Sequence, residues 1–180
     1  GLLFHGLDYM KTSVDQITQR FDITMLAGYG LGGFLLTGFL LTAIMQSSSA
    51  TIALILSGIY SGLMDFEAGA AMVIGANMGT TVTIILGSLG GIPIKKRVAA
   101  AHLVFNIVTG SIVFLLLPVL VWFIQIGLGW EQNTVLGIAL FHTLFNLIGI
   151  LLFLPFISLF TDKLDTLFKE PDHILTVIIH

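Results

Sequence analysis

The chain has 180 residues, of which 56% are apolar and 9% charged, with a net charge of −3 and no cysteine. So little charge excludes a soluble globular domain, which carries about a quarter, and the weak acidity excludes a basic nucleic-acid surface. Without cysteine, neither disulfides nor thiolate metal centres are available.

Four stretches lack Asp, Glu, Lys and Arg: residues 23–64, 68–94, 98–130 and 132–161. A spanning helix needs about 20 apolar residues. The last three stretches each allow one crossing, and the first, at 42 residues, allows two passes or a re-entrant hairpin. At the start, Leu3, Leu7, Met10, Val14, Ile17 and Phe21 recur at helical spacing, with Asp8, Lys11, Asp15 and Gln19 opposite them. That pattern predicts an amphipathic helix over 1–22, either the end of a span or an interfacial arm. Asp22 or Thr24 is suited to cap the next helix. No signal peptide is legible. The chain starts without Met and stops inside a new apolar run at 174–180, so we expect a longer protein.

Gly28, Gly30, Gly32, Gly33 and Gly38 crowd the next segment. In a bilayer such residues let helices approach closely. Gln46-Ser-Ser-Ser-Ala-Thr51 then interrupts the apolar pattern, a half-length helix over 50–63 is predicted, and Asp65 and Glu67 mark a return to water. In 68–94 the midpoint falls near Thr81, so Gly75-Ala-Asn-Met-Gly-Thr-Thr81 reads as a second, mid-membrane break, splitting that helix in two. Lys95, Lys96 and Arg97 come next. Basic residues beside a span stay cytoplasmic, which puts the loop near 127–131 outside and residues 162–172, with Lys163 and Lys169, inside. His-x-x-Phe-Asn occurs twice, at 102–106 and at 142–146. His and Asn four apart share a helix face, which suits each pair to hydrogen-bond a neighbouring helix.

The two interruptions carry the chemistry. A half-helix that starts in mid-membrane aims free N–H groups and partial positive charge at the gap, which suits an anion. One that ends there offers carbonyl oxygens, which suit Na⁺. The hydroxyls of Ser47, Ser48, Ser49, Thr51, Thr80 and Thr81 both donate and accept, and Gln46 and Asn77 add amides. The residues by themselves thus describe a neutral site for a small anion with a monovalent cation.

Gln46-Ser-Ser-Ser-Ala-Thr, Gly75-Ala-Asn-Met-Gly-Thr-Thr and Lys96-Arg-Val-Ala-Ala-Ala-His-Leu-Val-Phe-Asn106, with Gly1-Leu-Leu-Phe-x-Gly-Leu and His142-Thr-Leu-Phe-Asn, together resemble the Na⁺/phosphate cotransporter family. That family carries Gln-Ser-Ser-Ser in each of two inverted repeats, whereas this chain has it once. The resemblance implies an all-α polytopic membrane protein of the cell (inner) membrane that is a transporter, not an enzyme. This chain would be its second repeat: residues 23–94 as a re-entrant hairpin and a broken helix, 95–161 as two closing transmembrane helices, and 162–180 as a cytoplasmic tail. The function implied is sodium-coupled symport of inorganic phosphate, with Na⁺ as coupling ion and no other cofactor or metal. Gln46, Ser47, Ser48 and Ser49 would bind phosphate, and Ser49, Thr51, Asn77, Thr80 and Thr81 would bind Na⁺. The partner is the N-terminal repeat, upstream of Gly1 or supplied by a second copy as a homodimer. Two other functions fit the residues less well. An intramembrane serine hydrolase would use Ser47, Ser48 or Ser49 with His102 or His142, but there is no Gly-x-Ser-x-Gly elbow. A non-transporting scaffold would leave both interruptions unexplained.

Overall fold

The computed structural model describes residues 28–169; the amphipathic helix expected over 1–22 and the tail beyond residue 169 lie outside them. Helix α1 is Gly30–Met45, α2 Ser48–Tyr60, α3 Phe66–Ser88, α4 Pro93–Leu115 and α5 Leu117–Trp122. A π-helical turn, Phe123–Gly127, leads to α6, Thr134–Phe153, which continues through a 3-10 turn, Leu154–Phe156, into α7, Ile157–Leu167. Among the described residues there is no strand, and three rods are long and apolar enough to cross a membrane: Phe66–Ser88, Pro93–Leu115 and Thr134–Leu167. The protein is an all-α polytopic membrane protein.

Helices α1 and α2, of 16 and 13 residues, measure about 24 and 20 Å, short of a hydrocarbon core of about 30 Å. They form a helical hairpin. Its turn is two residues: Gln46 adopts the left-handed conformation, φ 54°, and Ser47 is extended.

Helix α3 is continuous from Phe66 to Ser88, so the break expected over 75–81 is not there. The glycines of that motif have another use. Gly75 and Gly79, four apart, share one face, and that face is pressed on α1. A Cβ on Gly75 would enter the carbonyl of Leu35, and one on Gly79 would come within 2.6 Å of the Phe39 carbonyl and 2.8 Å of the Thr42 Cβ. Gly38 of α1 reciprocates against the Met72 carbonyl. Rising numbers on α1 meet rising numbers on α3, so the two run parallel, backbone against backbone, as small residues allow in lipid. Helix α2 returns antiparallel, with Ile55 and Ile59 over Gly69. At α3's start Asp65 accepts a hydrogen bond from Ala68 N at 2.8 Å, and Glu67 stands in the first turn, both matched to the helix dipole. The centre of α3 falls on Asn77 rather than near Thr81.

Lys95, Lys96 and Arg97 lie at the start of α4, just after Pro93. Arg97 extends to α7, pairing with Asp165 at 2.8 Å and donating to the Phe168 carbonyl at 2.7 and 2.9 Å. The start of α4 and the end of α7 therefore lie on one side of the membrane. Gly137 packs on Phe66 and Ile124, which puts the loop after the π-helical turn on the opposite side. Pro118 lacks an N–H and ends α4 by separating it from α5 at Leu116. Ile74, Val113, Leu117, Ile124, Ile138, Phe141 and Phe145 form the core beside α3. Leu36, Ile44, Leu115, Trp122 and Leu151 face outward, an apolar surface that suits lipid and not water.

Adding a methyl at the α1–α3 contact must push two backbones apart. In the full-length protein, Gly75→Ala and Gly79→Ala are each expected to cost about 1–3 kcal/mol. Gly87→Ala meets nothing within 4 Å and is expected to leave the thermal midpoint of the purified protein unchanged or higher.

Candidate functional site

Three consecutive serines after Gln46 favour a capped helix start over a continuing helix, because serine oxygens compete for backbone N–H groups. Ser47 is the N-cap of α2, its Oγ accepting from Ala50 N at 3.2 Å. Thr51 Oγ1 donates to the Ser47 carbonyl at 3.2 Å and accepts from Thr42 Oγ1 at 2.8 Å. Thr42 and Thr51 are fully buried. This chain of hydroxyls locks the hairpin tip. With Ala50 N capped, the N–H groups of Ser48 and Ser49 are the first-turn donors left without an intrahelical acceptor. Among the described residues the side chains of Gln46, Ser48 and Ser49 also have no hydrogen-bond partner. Gln46 and Ser49 are exposed and Ser47 and Ser48 half-buried.

The other candidates lie on α3. Thr80 Oγ1 donates to the Asn77 carbonyl and Thr81 Oγ1 to the Met78 carbonyl, each at 2.6 Å. A hydroxyl whose proton is given back to its helix is left as an acceptor, the role a cation needs. Asn77 Nδ2 donates to the Val73 carbonyl at 3.0 Å, and its Oδ1 lies 3.2 Å from His142 Nε2 on α6.

Asn77, Thr80 and Thr81 share the face of α3 turned away from Gly75 and Gly79. Among the described residues no hydrogen bond joins them to the group at 46–51. Helical register brings part of the two sets to one level. From the contact of Ile59 with Gly69, eleven residues along each helix make about three turns and reach Ser48 on α2 and Thr80 on α3. Thr42 is a second link, packed over Gly79 while it donates to Thr51. Sequence reasoning missed Thr42. Its only signal was a position four before Gln46, whose N–H it binds through its carbonyl at 2.7 Å.

The two His/Asn pairs behave differently. His142 crosses to α3, while Asn146 Nδ2 donates to the His142 carbonyl at 2.8 Å. His102 and Asn106 bond within α4, so the expected bond to a neighbouring helix is absent for that pair among the described residues. Neither histidine hydrogen-bonds a serine there.

The chain matches the Na⁺/Pi-cotransporter family over residues 2–154. A Bacillus subtilis (strain 168) protein, "Uncharacterized protein YqeW", is 34% identical over 118 residues, 66% of this chain and 38% of that protein. The Escherichia coli (strain K12) "Putative inorganic phosphate export protein YjbB" is 26% identical over 174 residues, 94% of this chain and 31% of that protein. No solved structure matches. The chain spans about a third of the length of these curated relatives. With the family match covering most of its residues, the chain belongs to the Na⁺/phosphate cotransporter family.

Proposed function

We propose that this chain is one repeat of a sodium-coupled symporter of inorganic phosphate. The observation that carries the reading is the start of α2: free Ser48 and Ser49 N–H groups, side chains of Gln46, Ser48 and Ser49 without partners among the described residues, and no ionised residue in 23–64. These donors and the dipole of α2 suit a phosphate oxyanion. The free hydroxyl proton of Ser47, whose oxygen already serves as cap, adds a further donor.

Na⁺ would sit beside it on acceptor oxygens of Asn77, Thr80 and Thr81, with Ser49 and Thr51 from the hairpin side, so that the two ions neutralise each other in a site without buried charge. The inverted mate from the rest of the protein would complete the site, as a site at a repeat interface requires. The basic start of α4, tied to α7 through Arg97, favours that end as the cytoplasmic one. The printed name of the E. coli relative favours outward movement of phosphate. A symporter runs down the combined gradient of its substrates, so the same site serves export or uptake.

In the full-length protein, Ser48→Ala or Gln46→Ala is expected to weaken phosphate uptake at least tenfold, about 1.4 kcal/mol, in proteoliposomes with an inward Na⁺ gradient. Wild-type rates in both at equal expression would make the hydroxyl run a packing device. Na⁺ and phosphate should also tighten each other's binding by one common factor. Calorimetric titration of phosphate in Na⁺ and in choline measures it, and equal affinities would remove Na⁺ from the mechanism. Residues 1–180 expressed alone should insert yet transport nothing, and co-expression with the other repeat should restore uptake. Transport by the isolated chain, with termini on both membrane sides by protease protection, would favour an antiparallel homodimer instead.

A further inference from the structure

We propose that His142, on α6, is a positioning residue for the cation subsite, fixing the Asn77 amide so that its oxygen faces the ion. The inference rests on the reading of Asn77 as a Na⁺ ligand. Asn77 Nδ2 donates to the Val73 carbonyl at 3.0 Å, which assigns the opposite end of the amide as Oδ1. His142 Nε2, 3.2 Å away, must then be the donor, so the neutral ring carries its proton on Nε2. An amide oxygen has two lone pairs. One takes the histidine proton and the other is left for a cation.

Without that donor the amide is held at one end only, by the Nδ2 bond to the Val73 carbonyl. Its terminal torsion is broad and roughly two-fold, and the flipped form would turn an N–H donor toward the cation. Among the described residues, this is the one side chain–side chain hydrogen bond that α3 makes with α4 or α6. Asn77 is also the central residue of α3, where water is scarcest and an amide facing the wrong way costs most. His142 therefore couples the closing helix to ion binding, which neither the hydroxyl cluster nor the hairpin does. His102 is the internal control. It has the same Phe-Asn neighbours in sequence, and among the described residues its side chain reaches only Asn106 on its own helix.

The test measures Na⁺ half-saturation of phosphate uptake by the full-length protein in proteoliposomes, with maximal rates normalised to reconstituted protein. Losing one orienting hydrogen bond, His142→Leu should raise Na⁺ half-saturation about fivefold, the factor for about 1 kcal/mol, with the maximal rate within about twofold. His142→Gln places an amide N–H near the position of Nε2 and should restore the wild-type value, and His102→Leu should leave it unchanged. A purely structural histidine would instead lower the amount of active protein with Na⁺ half-saturation unmoved, in Leu and Gln variants alike. Either that result or a failure of Gln to rescue overturns the proposal. Uptake by the wild type that ignores Na⁺ would overturn the transport reading, and this inference with it, before any variant is compared.

Discussion

Hydrocarbon supplies no hydrogen bonds, so a helix that stops inside a membrane must find partners for the backbone groups it exposes, at several kcal/mol for each one left unpaired. The two-residue turn at Gln46 and Ser47 meets this condition with local groups. Gln46 N–H returns to the Thr42 carbonyl, Ser47 caps Ala50, and the Thr42 hydroxyl donates to that of Thr51, which donates to the Ser47 carbonyl. The donors left without an acceptor among the described residues of the turn include the N–H groups of Ser48 and Ser49, the Ser47 hydroxyl and the side chains of Gln46, Ser48 and Ser49, where an anion could supply the missing acceptors. The turn lies toward the Ser88 end of α3. From the pairing of Thr42 with Gly79, Gln46 comes level with residue 83, about 8 Å short of that end.

Helix α3 serves two neighbours with two faces. The glycine face lets α1 approach to backbone contact and so holds the hairpin at one depth. The other face carries Asn77, Thr80 and Thr81, whose hydrogen bonds run back along their own helix or to α6. Packing and polar chemistry are thus separated around a single rod, and neither compromises the other. A helix broken at 75–81 would have lost the rigid ledge on which the hairpin rests.

Much of this is legible in the sequence, and the failures have physical causes. The run Gln46-Ser-Ser-Ser announces a true interruption because four consecutive polar residues cover every face of a helix and cannot all point to one neighbour. Gly75 and Gly79 read as part of a similar interruption, yet their spacing of four marks a packing face, by the same reasoning that applies to the glycines of α1. His102 and His142 share one local motif, and only the placement of α6 against the centre of α3 distinguishes them, which no local pattern encodes. Arg97 and Asp165 are likewise joined across a long stretch of chain. In sequence Thr42 resembles Thr37, which bonds within its own helix to the Gly33 carbonyl at 2.8 Å; only the return of α2 over it sets Thr42 apart.

The interlocking of Gly38 with Met72, and of Gly75 and Gly79 with Leu35 and Phe39, also sets what this protein can do mechanically. Where two backbones touch through notches, no side-chain layer lies between them to yield. A slide of α1 along α3 by part of a turn would drive a carbonyl into a neighbouring carbonyl, and the next comparable fit lies a full turn away, about 5.4 Å. The hairpin and α3 therefore behave as one solid part. Whatever relative movement opens a path for an ion must occur along surfaces where side chains, rather than main chains, meet.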